Sequence, residues 1–167
     1  MSFNFRRLGA FVAAAGLGAA LAVSAADSAS SAGPFRPFLG SWRGTGRITS
    51  TDGRAEPISC RATYEGSDGD TSLNQALVCA SDSFRLNIES NATADGGSLR
   101  GEWRETTRGV QGTLSGQIGG GDFEGQVDGG GFTAQISLRS NGRKQAVYIR
   151  PSAGDIRDVN IVLTKSR

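Results

Sequence analysis

The feature that most constrains this chain is a period of two. From Leu39 onward, apolar and polar residues alternate in ten segments, near 39–50, 55–65, 72–80, 83–91, 98–105, 110–118, 122–128, 131–139, 144–150 and 156–165. Alternation of this kind is the signature of a half-buried strand, and no segment keeps a helical period for three turns. Gly, Asn and Asp punctuate the gaps between segments, and the gaps are short. Neighbours in sequence are therefore neighbours in space, as in an up-and-down meander. Left open, ten such strands would leave two unpaired edges and one large apolar face in water. Closing the sheet removes both problems. The expected fold is all-β: a single up-and-down antiparallel β-barrel of about ten strands with one disulfide.

In an antiparallel hairpin, opposed residues share a constant sum of residue numbers, and inward faces must meet inward faces. A three-residue loop at Thr51–Gly53, with Gly53 left-handed, opposes Gly46 with Ile58 and Gly44 with Cys60. Turns at Asp95-Gly96, Gly120-Gly121, Gly129-Gly130 and Asn141-Gly142 oppose Ile88 with Trp103, Ile118 with Phe123, Val127 with Phe132, and Ile136 with Val147. Ile156 falls out of step with Val159, Ile161 and Leu163, which predicts a bulge in the last strand.

Cys60 and Cys79 are the two cysteines of the chain. Opposing them places Ala62 against Leu77 and Tyr64 against Gln75, so one register satisfies both a bridge and the apolar faces. A structural disulfide is expected, contributing about 3 kcal/mol by restricting the unfolded chain.

The first residues have the three parts of a secretory signal peptide. Arg6 and Arg7 are followed by an uncharged apolar run from Leu8 to Val23, and Val23-Ser24-Ala25-Ala26 offers small residues for cleavage. The run is shorter than the roughly 18–20 residues that span a bilayer. The expected organisation is a signal peptide over 1–26, a flexible Ser-, Ala- and Gly-rich leader over 27–37, and a barrel domain over 38–167. The expected location is the periplasm, or the outside, of a bacterium, with no membrane span after cleavage. Without the two arginines of the signal segment, 16 basic residues face 16 acidic ones. A neutral domain lacks the basic excess of a nucleic-acid footprint.

The chain has no histidine. That excludes Ser-His-Asp and Cys-His nucleophile sets, His-bound zinc and His-bound haem. Glu105 shares the inward parity of Trp103, but nothing brings a second inward carboxylate to it. Asp68-Gly69-Asp70-Thr71-Ser72 starts like a calcium loop, then has Leu73 where the sharp-turn glycine belongs and Cys79 where the bidentate glutamate belongs. No enzyme activity and no cofactor are expected from these residues. Gln75 and Gln145 are polar side chains on the inward face, and a buried glutamine must be satisfied, by a neighbour or water or by a ligand in a mostly apolar pocket. Inward glycines at 44, 46, 101, 112, 116 and 125 mark either close strand approach or room for a ligand.

The first strand reads Phe38-Leu39-Gly40-Ser41-Trp42-Arg43-Gly44-Thr45-Gly46. It resembles the Gly-x-Trp opening of calycin barrels, the lipocalin, fatty-acid-binding and avidin-like proteins, and within them the nitrobindin type. The resemblance implies structural roles for Gly40 and Trp42, with the tryptophan across the closed end of the barrel and Arg150 or Arg157 against it. Nitrobindin-type proteins hold haem through a histidine, which is absent here. Two functions remain open. One is a barrel that binds a small, mostly apolar ligand through Tyr64, Gln75, Trp103 and Gln145. The other is a packed barrel acting as a structural or inhibitor-like partner of a cell-envelope component.

Overall fold

Alternation becomes ten strands and a closed barrel in the computed structural model, which describes residues 33–67 and 69–167. The expected signal peptide and residues 27–32 lie outside the described residues. The first five strands are β1 (Gly40–Ser50), β2 (Ala55–Ser67), β3 (Ser72–Ala80), β4 (Arg85–Asp95) and β5 (Ser98–Glu105). They continue with β6 (Val110–Gly119), β7 (Asp122–Gly129), β8 (Phe132–Ser140), β9 (Lys144–Pro151) and β10 (Ile156–Lys165). Each strand pairs antiparallel with its neighbours in sequence, and β1 pairs with β10 to close the ring. No strand edge is left unpaired along the ring, which is what the meander of half-apolar strands requires.

Three hairpins pair as the alternation demands. Gly46 faces Ile58, Cys60 faces Cys79, and Ile118 faces Phe123. Cys60 and Cys79 form a disulfide across directly opposed positions of β2 and β3, both side chains buried. Three other hairpins are displaced by two residues from the expected register. Ile88 faces Glu105 rather than Trp103, because the turn is Gly96-Gly97, both with positive φ. Val127 faces Ala134, because the turn is Gly130-Gly131. Ile136 faces Ile149, because Asn141 Oδ1 accepts the backbone N–H groups of Arg143 and Lys144 (3.0 and 2.8 Å) and draws four residues into the loop. A slip of two leaves every side chain on its original face. The barrel interior is therefore the expected one even where the opposed pairs are not.

Ser50 pairs with Ile156 and Thr49 with Asp158, so Arg157 is the extra residue of a bulge in β10. The bulge brings Ile156 and Val159 to the same inner wall, which a regular strand could not do at an odd spacing. The inward glycines turn out to serve close approach. A Cβ on Gly44 would lie 1.9 Å from the Val162 carbonyl oxygen, and one on Gly112 would lie 1.8 Å from that of Asp128. None of the six lines the interior cavity.

One end of the barrel is plugged by residues expected to belong to the flexible leader. Gly33–Pro37 forms turns instead, held by hydrogen bonds from Arg36 N–H to the Gly33 carbonyl (3.0 Å) and from Phe38 N–H to the Phe35 carbonyl (2.9 Å). Phe35 and Phe38 are buried in the core. Ser140 Oγ donates to the Pro37 carbonyl (2.6 Å), tying the plug to the end of β8. Composition hid this segment: Gly33-Pro34-Phe35-Arg36-Pro37 carries no period, but burial of Phe35 and Phe38 offsets the entropy of ordering it.

Candidate functional site

Inside the barrel lies a cavity of about 400 Å³. It runs from the plug residues Phe35 and Phe38 to the β9–β10 loop at Ala153–Asp155. Its wall is almost entirely aliphatic and aromatic, built from the inward positions of all ten strands and the loops at the second end. Towards the plug the lining is buried, as at Leu99, Ile118 and Phe123. Towards the other end Phe84, Leu86, Phe132, Ile149 and Ile156 are only partly buried, so this end is the mouth.

Three of the four expected ligand-contacting residues sit together on this wall. Tyr64 faces Gln75, Gln75 faces Ser90 and Ser90 faces Trp103, so one continuous row crosses β2, β3, β4 and β5. All four line the cavity. Ser90 Oγ–H donates to Gln75 Oε1 (2.6 Å). Trp103 Nε1–H donates to the Thr113 carbonyl (3.1 Å), and its ring packs at a tilt on Phe132, centroids 5.8 Å apart. Burial pushes the Tyr64 phenol up from its usual range. Ser90 is the member of the row that the sequence reading missed, because the slipped β4–β5 register had put Ile88 in its place.

The fourth residue, Gln145, is elsewhere. It faces Ser140 at the plugged end, and it does not line the cavity. Its Nε2 donates to the Phe38 carbonyl (3.4 Å), which also accepts Trp42 Nε1–H (2.7 Å), and its Oε1 is buried with no partner among the described residues. Gln145 and Trp42 therefore share one acceptor and hold the plug. Gly40 precedes them with φ +106°, a conformation that favours glycine. The cation over the Trp42 ring is Lys165, 5.6 Å from the centroid. Arg150 and Arg157 are not its partners. Arg150 donates to Tyr148 Oη (2.7 Å) on the outer face, and Arg157 pairs with Asp158 (2.9 Å) at the bulge.

Glu105 is buried at the end of β5 beside the mouth, outside the cavity wall. It accepts backbone N–H groups from Asn87 (3.1 Å), Thr107 (3.1 Å) and Arg108 (2.6 Å). Burial opposes its charge, but these bonds outweigh burial and lower its pKa from 4.5 to about 2. Ionised at neutral pH, it anchors the β5–β6 loop. No group of three or more metal-ligating side chains occurs among the described residues. No helix among them is long and apolar enough to cross a membrane.

No protein-family model matches the sequence, and no curated protein does either. Solved structures do match in fold. Rv2717c from M. tuberculosis superposes with a TM-score of 0.63 at 15% identity, over 78% of this chain and 94% of that one. The S-type phycobiliprotein lyase CPES from Guillardia theta superposes with a TM-score of 0.56 at 10% identity, over 80% of this chain and 90% of that one. These likenesses show the barrel fold alone. CPES also corrects one expectation. Lack of histidine chemistry had suggested that the chain is no enzyme, but a barrel of this architecture carries a lyase, so that inference does not stand.

Proposed function

We propose that this protein is an exported, calycin-like barrel that holds a small, mostly apolar ligand in its interior. The observation that carries the reading is the cavity of about 400 Å³, within the size range of small-molecule sites, apolar throughout apart from a few convergent polar groups. A barrel serving only as a rigid partner surface gains stability from filling that volume, since each buried void costs packing energy. The Gly40–Gly46 opening supports the nitrobindin type within the calycins, without its haem histidine. Export rests on the Arg6-Arg7 and Leu8–Val23 pattern. The Cys60–Cys79 bridge supports it, because disulfides persist in oxidising compartments. CPES, a lyase by name, supports small-molecule handling by such barrels.

Titration with the neutral fluorophore N-phenylnaphthylamine tests the reading. Saturable binding at one site is expected, and Leu114→Trp, which places an indole in the cavity, is expected to abolish it while the thermal unfolding temperature is kept or raised. Absence of saturable binding by the unmodified barrel, or unchanged binding in Leu114→Trp, would sink the proposal.

A further inference from the structure

The cavity wall has hydrogen-bond donors but no cation. Its lining contains neither lysine nor arginine, and Asp155, on the loop at the mouth, is its acidic residue. Arg108 lies over the Phe84 ring near the mouth (5.3 Å), but it is held by the Glu105 carboxylate (3.5 Å) and the Arg85 carbonyl (3.2 Å). An anionic ligand group placed inside would meet no counter-charge. Burying an unpaired carboxylate costs several kcal/mol, about a hundredfold or more in affinity.

What the wall offers is the Tyr64–Gln75–Ser90 row. The Ser90 hydroxyl proton goes to Gln75 Oε1, which orients the amide and leaves its two N–H donors with no partner among the described residues. The Tyr64 hydroxyl likewise has no partner among the described residues, and its side chain is buried against the cavity. Burial keeps this phenol protonated, so it remains a donor. Three unspent donors, on two side chains, sit on opposed positions of β2 and β3, in a wall that is otherwise mostly apolar. On this apolar wall a ligand acceptor that takes up these donors gains hydrogen bonds that a plain hydrocarbon cannot make.

The geometry points to a ligand with an apolar body and a buried, uncharged acceptor, of the class of long-chain alcohols, amides and esters, read by Tyr64 and Gln75, with carboxylates of the same chain length rejected. This inference rests on the cavity reading above and narrows it to one ligand chemistry.

Displacement of N-phenylnaphthylamine at about pH 8 tests it, with dodecanol, dodecanamide, dodecane and dodecanoate as competitors. Dodecanol and dodecanamide are expected to bind about tenfold more tightly than dodecane, and dodecanoate about a hundredfold more weakly than dodecanol. Tyr64→Phe and Gln75→Leu are each expected to reduce the preference for alcohol over alkane several-fold. Thermal unfolding temperatures close to that of the unmodified protein are expected for both variants and report that the barrel is intact. If dodecanoate binds as tightly as dodecanol, or if both variants retain the full preference, the neutral-acceptor inference is overturned while the cavity reading stands. If the fluorophore itself fails to bind, both fall together.

Discussion

The two ends of the barrel are made of the same alternating strands, yet they treat apolar side chains in opposite ways. At the plugged end Trp42, Phe35 and Leu163 are 1%, 1% and 0% exposed, and backbone carbonyls of the plug accept from Trp42, Gln145 and Ser140. At the mouth Phe84, Leu86, Phe132 and Ile156 remain partly exposed around a cavity that no protein group fills. The first arrangement maximises burial and therefore stability. The second leaves apolar surface unsatisfied, which a folded domain tolerates where a ligand is to cover it. Stability is thus concentrated at the plugged end, and the cavity of the proposed binding reading opens at the other.

The largest expected effect follows from that division. Trp42→Ala removes a fully buried indole and a hydrogen bond, and is expected to cost about 3–5 kcal/mol in chemical denaturation. Phe132→Ala, an aromatic truncation at the mouth, is expected to cost about 1 kcal/mol, because its ring is already partly solvated. It is expected to weaken ligand binding by removing the partner of Trp103. Equal stability losses for the two variants would break the comparison.

Glu105 sharpens it, because the mouth has one strongly fixed point. Its carboxylate binds three backbone amides of β4 and the β5–β6 loop, with a pKa near 2 against the ordinary 4.5. A folded-state pKa below the unfolded one stabilises the protein above about pH 4.5, and the contribution disappears as pH falls towards about 2. The shift corresponds to about 3 kcal/mol. Glu105→Gln is expected to lose a stability of this order at neutral pH and to flatten the stability profile between about pH 4.5 and 2. A variant whose acid profile superposes on that of the unmodified protein would remove Glu105 from this role.

How much of this was legible in the sequence depends on what fixes each feature. Facing is set by parity, so the inward wall of Leu114, Phe123, Ile136 and Ile149 was readable from alternation alone. Opposition is set by the turns, and a Gly-Gly pair is ambiguous by one residue on either side. Asp95-Gly96-Gly97 and Gly129-Gly130-Gly131 each offer two candidate turns, and in both the later pair is used. That ambiguity hid Ser90 behind Ile88, whereas the loop-lengthening bonds of Asn141 set Gln145 opposite Ser140 at the plug. The Tyr64–Gln75 pairing was readable because the cysteines pinned its register independently of any turn. The plug was not readable, since Gly33–Pro37 has no period and its cue was only the unpaired apolar residues Phe35 and Phe38 in a polar stretch.

The smallest expected effect concerns the cation at the plugged end. Lys165 lies over the Trp42 ring at 5.6 Å, and its Cε approaches to 2.9 Å of where a side chain on Gly40 would begin. The lysine stem thus occupies space that only a glycine at position 40 leaves open, and the ammonium is carried over the indole face. Lys165→Met keeps the stem and removes the charge. It is expected to cost about 0.5–1 kcal/mol, the range of an exposed cation–π contact. A double-mutant cycle with Trp42→Phe separates that term from stem packing. Coupling of about 0.5 kcal/mol or more between Lys165 and Trp42, with none between Trp42 and either Arg150 or Arg157, is the expected pattern. Coupling to an arginine instead would return the closed end to the arrangement its calycin-like opening implies.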